Sequence, residues 1–506
     1  MVGLFGSLHI GTNGMAAAQN ALQTTSHNLS NINTEGYSRQ RINMAANNPY
    51  FLAGVGQLGT GVKMTNIVRI VDDYVIQQLQ SENSTLSRYE KKSDILGQLE
   101  SIFNEPSDTG LSNGFNKFYA SWTYLSSNPE LTTAKTMVSQ QSQTLTDTIS
   151  HMANQLEGLQ KDSIHSITKD VQDFNMKVEQ LDTLNKQIFD VMAKGHTPND
   201  LLDQRDRLVG DLASIGSVEV SIDKFQRASI KVDGNSVLDE KGFQKLGVVT
   251  EQDGEGNAII SKDGTSTNRV EKTGDFKVGQ IVIVSKDENM ENIKTISMKE
   301  GSIKGAQEAL EVIDTKKTEL DQLTYQFATA VNKIHSNDGE GSDFFEVSKT
   351  DSAKNLKVKQ EIIDDSSKIN AGKTIDKVVS GDGTRAGAIA SLASTKLSYH
   401  TMDELPKYDA ANMKFEQVVG GSSTADAYND MITSMGIVKQ QADYMVGSQE
   451  EVISFLNNRR NSISGVSMNE EVVDMMKFQS AFQANSRIIN VVNEMLDTLI
   501  NRTGVR

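Results

Sequence analysis

Seven histidines, at positions 9, 27, 151, 165, 196, 335 and 400, are the first residues to test for chemistry. A zinc-binding helix needs two of them four residues apart, so that both rings meet one metal. No such pair exists, which leaves only a site assembled from distant segments. Three motif fragments fail on their own context. Gly54-Val55-Gly56-Gln57-Leu58-Gly59 has the glycine spacing of a dinucleotide loop, but that loop must follow a strand and open a helix. Here it leads into Val62-Lys63-Met64-Thr65-Asn66-Ile67-Val68-Arg69-Ile70, which reads as a strand, so 54–61 is expected to be a flexible loop. Ala371-Gly372-Lys373-Thr374 ends like a phosphate loop, yet Ser367 stands where its first glycine belongs. Asp253-Gly254-Glu255-Gly256-Asn257 begins like a calcium loop, but Ala258 occupies the position that needs glycine for the sharp turn, so a polar β-turn is expected. The letters G-x-S-x-G occur once, at Gly110-Leu111-Ser112-Asn113-Gly114, but no strand-like run leads into them, as a nucleophile elbow requires. The sequence nominates no catalytic residue, no cofactor-binding residue and no metal ligand, and so no enzyme.

Composition narrows the alternatives. At 506 residues the chain allows about three domains. With 37% hydrophobic and 6% aromatic residues, it suits long helices and thin domains better than one large globule. A net charge of −16 argues against nucleic acid, which requires a basic footprint, and against an anionic membrane surface. Without cysteine there is no disulfide, thiolate zinc site or cysteine nucleophile, which is compatible with a chain exported unfolded. No apolar run reaches 18 residues, so no membrane insertion is expected. The first Lys or Arg is Arg39, so the N-terminus lacks the basic region of a secretory signal peptide.

The elements that could position anything are mostly helical. Residues 7–32 read as one helix with Leu8, Met15, Leu22 and Leu29 seven apart and Ala18 between. From position 1 to 34 there is no Asp, Glu, Lys or Arg. A neutral polar face suits burial against copies of the same chain, where unpaired charge is costly. Gly36 then ends the element in a tight turn. A second helix spans 72–103, with Val75, Leu79, Leu86, Tyr89, Leu96 and Phe103 on its seam, and loops around Pro106 and Pro129 interrupt the pattern. Ile164, Ile167, Val171, Phe174, Val178, Leu181, Asn185 and Ile188 alternate three and four, a coiled-coil seam. Asn185 on that seam either fixes register or turns its amide to solvent. Pro198-Asn199-Asp200 starts a short helix through Val209.

From 217 to 300 the period changes to two, as in Val218, Val220 and Ile222, and a small β domain is expected. Helical spacing returns at Leu310, Ile313, Leu320, Leu323, Phe327, Val331 and Ile334, and again at Met431, Met435, Val438, Ala442, Met445 and Val452. Between them, 346–422 reads as an irregular, partly β insertion. Ser467-Met468-Asn469-Glu470 is a capping-box pattern opening the last helix. That helix carries Met475, Phe478, Phe482, Asn485, Ile489, Val492, Leu496 and Leu499 in a strict heptad. Neither terminal helix can bury its stripe alone, and the obvious first partner of each is the other.

The expected fold is mainly α with a β insertion. Long N- and C-terminal helices pair as a coiled coil from 1–70 and 466–506. A middle helical bundle is drawn from 71–216, 301–345 and 423–465, and the insertions are 217–300 and 346–422.

Two runs carry a family likeness. Ala21-Leu22 with Asn28-Leu29-Ser30-Asn31-Ile32-Asn33-Thr34-Glu35-Gly36-Tyr37-Ser38-Arg39-Gln40 resembles the N-terminal signature of bacterial flagellar axial proteins. Ser464-Gly465-Val466-Ser467, Glu470-Glu471 and Gln479-Ser480-Ala481-Phe482-Gln483-Ala484-Asn485-Ser486-Arg487-Ile488-Ile489 resemble their C-terminal signature. The Ser38-Arg39-Gln40 run, the Ser-Gly-Val-Ser with paired Glu, and Asn199-Asp200-Leu201-Leu202-Asp203-Gln204-Arg205-Asp206 are similar to the hook-associated members that join hook to filament. Glu35 departs from the family, which commonly has Pro there, and Phe482 stands where Tyr is usual.

The resemblance implies a structural subunit at the hook–filament junction, needed for filament assembly and motility. It is extracellular and exported by the flagellar type III apparatus without a cleaved signal peptide. The implied partners are copies of itself in a ring, the hook protein, the second hook–filament junction protein, and an export chaperone at the C-terminal helix. The residues implied in assembly are Leu22, Leu29, Asn31, Asn33, Gly36 and Tyr37 on the N-terminal side. On the C-terminal side they are Met475, Phe478, Phe482, Ile489, Val492, Leu496 and Leu499. A neutral helix unpaired in the free subunit is expected to be disordered there, and the free subunit to be a monomer. The alternatives are another axial protein (second junction, hook or rod protein) and an extracellular adhesin-like binding protein. The adhesin reading needs an aromatic cluster in 217–300, which holds only Phe225, Phe243 and Phe276.

Overall fold

The computed structural model describes residues 2–52, 54, 56–103, 105, 107, 110–252, 257–263, 269–274, 276–284, 293–375, 379–402 and 405–502. The chain opens with helix α1 (Val2–Ser30), whose run ends before the turn at Gly36, where φ is +76°. A β-ribbon follows. Strands β1 (Gln40–Ala46) and β4 (Val62–Arg69) pair antiparallel with a bulge at Asn43/Met44, and β2 (Tyr50–Leu52) pairs with β3 (Gly56–Leu58). The Asn47 N–H donates to Gly61 O at 2.8 Å and Thr60 Oγ1 to Asn48 O at 2.8 Å, which makes the two pairs one continuous ribbon. The stretch expected to be a flexible loop is therefore largely hairpin, because backbone pairing from Val62 onward carries through the glycines.

The middle of the molecule is a helical bundle. Helices α2 (Asp73–Phe103), α3 (Leu111–Ser127), α4 (Thr132–Met192) and α5 (Asn199–Ile215) precede the β sheets, and α6 (Ser302–His335) follows them. Helix α4 is about 90 Å long at 1.5 Å per residue. Its buried stripe runs from Ala134 through Leu145, Leu156 and Phe174 to Ile188, well beyond the eight-residue seam read from the sequence. Helix α3 lies between the two prolines around which loops are expected, Pro106, which is outside the described residues, and Pro129. It is the aromatic heart of the core. Phe118 sits 5.2 Å edge-on to Phe327, and Trp122 is 5.3 Å from Phe344. Full burial of such a ring stabilises by roughly 2 kcal/mol.

The segment 217–300 forms two antiparallel sheets. The first is a meander of β5 (Glu219–Ile222), β6 (Ala228–Val232), β7 (Asn235–Asp239) and β8 (Gly242–Phe243). The second contains β9 (Lys245–Gln252), β10 (Asn257–Ser261), β11 (Arg269–Thr273), β12 (Ile281–Val284) and β13 (Lys294–Ile296), in the order β11-β10-β9-β12-β13. Alternation splits its side chains. Leu246, Val248, Ile281 and Ile283 join the helical core, while Val249, Ile260 and Val282 form a small cluster of their own. Of the calcium-like run, 253–256 lies outside the described residues; Asn257 and Ala258 belong to β10.

Asparagines dock these sheets on the helices. Asn185 Nδ2 donates to Ala228 O at 2.8 Å and its Oδ1 accepts the Ala228 N–H at 2.9 Å. Ala228 pairs with Ile222 on one side, and the β6–β7 ladder begins only at Ile230, so its other edge would be bare. A buried backbone edge without partners is costly, and the amide supplies both bonds. Asn185 thus neither sets helix register nor faces solvent. Asn175 holds Leu246 in the same way, at 2.9 and 2.8 Å.

After α6 comes the stretch expected to be an outlying insertion. It contains β14 (Phe345–Glu346), α7 (Ser352–Asn355), β15 (Lys357–Val358), α8 (Gln360–Asp364), α9 (Thr384–Ser391), β16 (Tyr408–Asp409) and β17 (Lys414–Phe415). Phe344, Phe345, Leu356, Ile362 and Ile389 all join the main core, so it is packed into the bundle. Arg385 is fully buried and donates to the carbonyls of Ile334, Gly372 and Lys373, closing the C-terminal end of α6. Helix α10 (Thr424–Ser464) returns along α2, and α11 (Met468–Asp497) completes the chain.

Candidate assembly site at the paired termini

Helices α1 and α11 pack against each other, as their mutual need for a partner suggests. The face that α1 offers is made of small residues. Ala17, Ala18, Ala21, Thr25 and Asn28 are buried, while Leu8, Met15, Leu22 and Leu29 flank them half-buried. A Cβ at Gly14 would lie 2.5 Å from the Asn485 side chain, and one at Gly11 3.0 Å from Ile489 Cγ1. Small residues here let the larger side chains of α11 settle into α1, which brings the axes close. On α11, Met475, Phe478, Phe482, Ile489 and Leu496 are half-buried and Val492 is buried, while Leu499, just past the end of α11, is exposed. The two helices thus cover each other within one chain. Val473, Met476, Ile488, Val491 and Met495 remain exposed on the outer side of α11.

A polar node locks this pair to the rest of the molecule. Asn28 Nδ2 donates to Gln40 O at 2.9 Å and to Glu471 Oε2 at 3.0 Å. Its Oδ1 accepts the Gln40 N–H at 2.9 Å and the Tyr37 hydroxyl at 2.8 Å. All four hydrogen-bonding positions of the amide are filled. Arg39 Nε donates to Glu471 Oε1 at 2.6 Å and Nη1 to Glu470 Oε2 at 2.7 Å, while the Arg39 N–H meets Ser464 O at 2.9 Å. Burial raises the Tyr37 phenol well above its ordinary range, and Asp200, Asp203 and Glu471 add to this, so it stays a donor.

Helix α5 supplies the third side. The Ser38 N–H donates to Asp203 Oδ2 at 3.0 Å, and Arg69 Nη1 bridges Asp203 at 2.9 Å and Asp206 at 2.6 Å. Gln40 Nε2 reaches Asp200 Oδ1 at 2.7 Å, and Asn199 Nδ2 reaches Ile67 O at 3.0 Å. Burial raises the Asp203 carboxyl, opposed by its bonds to Ser38 and Arg69. The two chain ends, the ribbon and the middle bundle thus meet within one hydrogen-bonded cluster.

Of the residues named from the sequence, Tyr37 belongs to this node, and Gly36 makes the turn that leads into it. Asn31 shapes the turn before it, with Nδ2 on His27 O at 3.0 Å and Oδ1 accepting from Thr34 at 3.1 Å. Asn33 is exposed on the same turn. Asn28, Arg39, Gln40, Arg69, Asp200, Asp203 and Glu471 are not among the assembly residues that the sequence suggests, although most lie inside its signature runs. The capping box does not form. Ser467 is the N-cap without a side-chain bond, and Glu470 is turned to Arg39 instead of reaching back.

No group of three or more His, Asp or Glu among the described residues is placed to hold a metal ion, and no helix among them is long and apolar enough to cross a membrane. At the phosphate-loop fragment, the Lys373 N–H is taken by Asp382 Oδ2 at 2.7 Å. His335 is buried, with Nε2 accepting the Asn370 N–H at 3.1 Å and Nδ1 meeting Ser342 O at 2.8 Å, so the ring is a packed structural group.

Comparison with known proteins places these parts in one context. Residues 96–345 match the family described as the flagellar hook-associated protein FlgK helical domain. Residues 8–37 match the flagella basal body rod protein family, and 459–502 the C-terminal family of flagellar basal body rod FlgEFG proteins. The chain is similar to flagellar hook-associated protein 1 of Bacillus subtilis, 28% identical over 100% of this chain and 99% of that one. It is also similar to that of Escherichia coli, 26% identical over 96% and 98%. The fold resembles the flagellar hook junction protein FlgK from Burkholderia pseudomallei. The TM-score is 0.58 at 12% identity, over 76% of this chain and 100% of that one.

Proposed function

Because the chain belongs to the flagellar hook-associated protein family, we propose that it is a structural, non-enzymatic subunit of the junction between hook and filament. The observation that carries this is the node around Asn28 and Glu471. It makes one unit of two chain ends more than 400 residues apart and ties that unit to the bundle. A subunit held this way transmits load from an inner helix pair to an outer body. The exposed apolar side of α11 supports further burial against copies in a ring. We infer as partners the hook protein on one side and the second junction protein on the other, with an export chaperone on α11 before type III secretion. Coverage of α11 by a chaperone would keep free subunits from associating early.

Truncation tests this reading. Removal of 1–32 or 468–506 is expected to abolish incorporation at the hook tip while the middle bundle still melts cooperatively. A truncated chain that restores filaments in a host lacking the gene would refute it.

A further inference from the structure

The terminal unit of α1, ribbon and α11 shares no apolar interior with the bundle. The apolar clusters of the bundle and its sheets lie within 75–463, and none among the described residues takes in a side chain of the terminal unit. The side chains that hold the two parts together are polar and sit on one face of α5. Asp200, Asp203 and Asp206 follow Asn199 by one, four and seven residues, so the four form a single row on that helix. Asp200 accepts from Gln40 Nε2 at 2.7 Å and meets His27 Nε2 at 3.3 Å. Asp203 accepts the Ser38 N–H at 3.0 Å, and Arg69 Nη1 spans Asp203 and Asp206 at 2.9 and 2.6 Å. The Arg69 and Asp203 side chains are both buried in this seat.

Such a seat comes apart differently from an apolar interface. Parting two apolar surfaces exposes both to water. Parting Arg69 from Asp203 returns both ions to water and recovers the desolvation that burying them required, so the net loss is small. Asn199 Oδ1 is buried in the seat with no hydrogen-bond partner among the described residues, a cost that separation removes. The chain crosses between the two parts at Ile70-Val71-Asp72 and at Gly465-Val466-Ser467, and these crossings lie side by side. The Ile70 N–H donates to Arg39 O at 2.8 Å, and the Arg39 N–H to Ser464 O at 2.9 Å. Adjacent crossings make a pivot. The inner part of the node, Asn28 with Tyr37, Arg39 and Glu471, lies wholly within the terminal unit and moves with it.

We propose that the terminal unit is latched to the bundle, not fixed to it: it lifts off α5 as a rigid body, turning on the paired crossings, with Arg69 and the row Asp200, Asp203 and Asp206 as the latch. One chain thereby takes two angles between its terminal helix pair and its bundle.

The chain contains no cysteine, so spin labels can be placed at chosen pairs. Gln23→Cys on α1 with Gln180→Cys on α4 reads the distance between the two parts. Gln23→Cys with Glu494→Cys on α11 reads a distance inside the terminal unit, and all three positions are exposed. Distances are measured by double electron–electron resonance on the purified full chain, so the outcome does not depend on the junction role. The first pair is expected to give a main distance and a minor second one. Arg69→Gln, which leaves Asp203 unpaired in the seat, is expected to raise the ratio of second to main on the order of a hundredfold. The pair inside the terminal unit is expected to keep one distance in both proteins. An unchanged ratio in Arg69→Gln overturns the latch, and a terminal pair that broadens with the first overturns the rigid-body motion. If Arg69→Gln does not fold, Asp206→Asn removes one bond of the latch and is expected to raise the same ratio about tenfold. No rise there overturns the proposal.

Discussion

Asn28 holds Gln40 by both ends of its backbone, accepting its N–H and donating to its carbonyl, each at 2.9 Å. Gln40 pairs with Arg69 on its other side, so the asparagine takes the place of a missing strand. Asn332 does the same for Phe345, at 2.7 and 2.9 Å. With Asn175 and Asn185 this is a recurrent way of fixing a strand edge to a helix in this chain.

Removing the clamp should loosen the terminal unit selectively. Asn28→Ala strands the Gln40 N–H and carbonyl and removes a donor to Glu471, a loss of about 3 kcal/mol. Hydrogen exchange should then quicken in α1 and α11 and leave α4 unchanged. Equal protection in parent and variant would show that the clamp is dispensable.

Glu471 is the charged counterpart of that clamp. It is 1% exposed and bonded to both Arg39 and Asn28. Glu471→Ala leaves Arg39 without its inner partner and should cost about 4 kcal/mol. Glu471→Gln keeps the shape and one acceptor, and should cost less than half of that. Urea unfolding followed by a probe on α11 ranks the two; equal losses would deny the role of the charge.

The long heptads are legible in the amino-acid sequence, because Met475, Phe478, Ile489 and Val492 mark the contact face of α11 directly. The matching face of α1 is not. Gly11, Gly14, Ala17 and Ala21 carry little apolar signal, so the flanking Leu8, Met15, Leu22 and Leu29 read as the stripe, with Ala18 alone of the buried face among them. The node is half legible. Its signature runs stand out, but which residues meet depends on α5 and α11 arriving beside Gln40, and spacing along the chain holds no record of that. Asn185 is conspicuous as a polar residue on a seam, while its strand partner lies 43 residues on.

The same logic applies at the β sheets. Asn185→Leu keeps the volume and removes both bonds to Ala228, with an expected cost of about 2 kcal/mol. Limited proteolysis should then cut within 217–300 sooner than in the parent. An unchanged cleavage rate would contradict the docking role.

His335 gives the fold an acid sensitivity. Burial first, then Arg385, Lys135 and Lys359, lower its pKa from 6.5 to about 4, against the opposing bond to Ser342. The ring stays neutral in the folded chain and can be protonated when unfolded. Its contribution is therefore complete above about pH 6.5, lost as pH falls from there to about 4, and worth about 3 kcal/mol across that window. His335→Gln retains a donor and an acceptor without titrating there. Its urea midpoint should fall less than that of the parent between pH 7 and 5; parallel falls would assign the acid sensitivity elsewhere.

The most direct measurement of the junction role is electron microscopy of the host after deletion of this gene. A junction subunit predicts hooks without filaments, with filament subunits shed into the medium and filaments restored by the intact gene. Normal filaments on the deletion strain would contradict it.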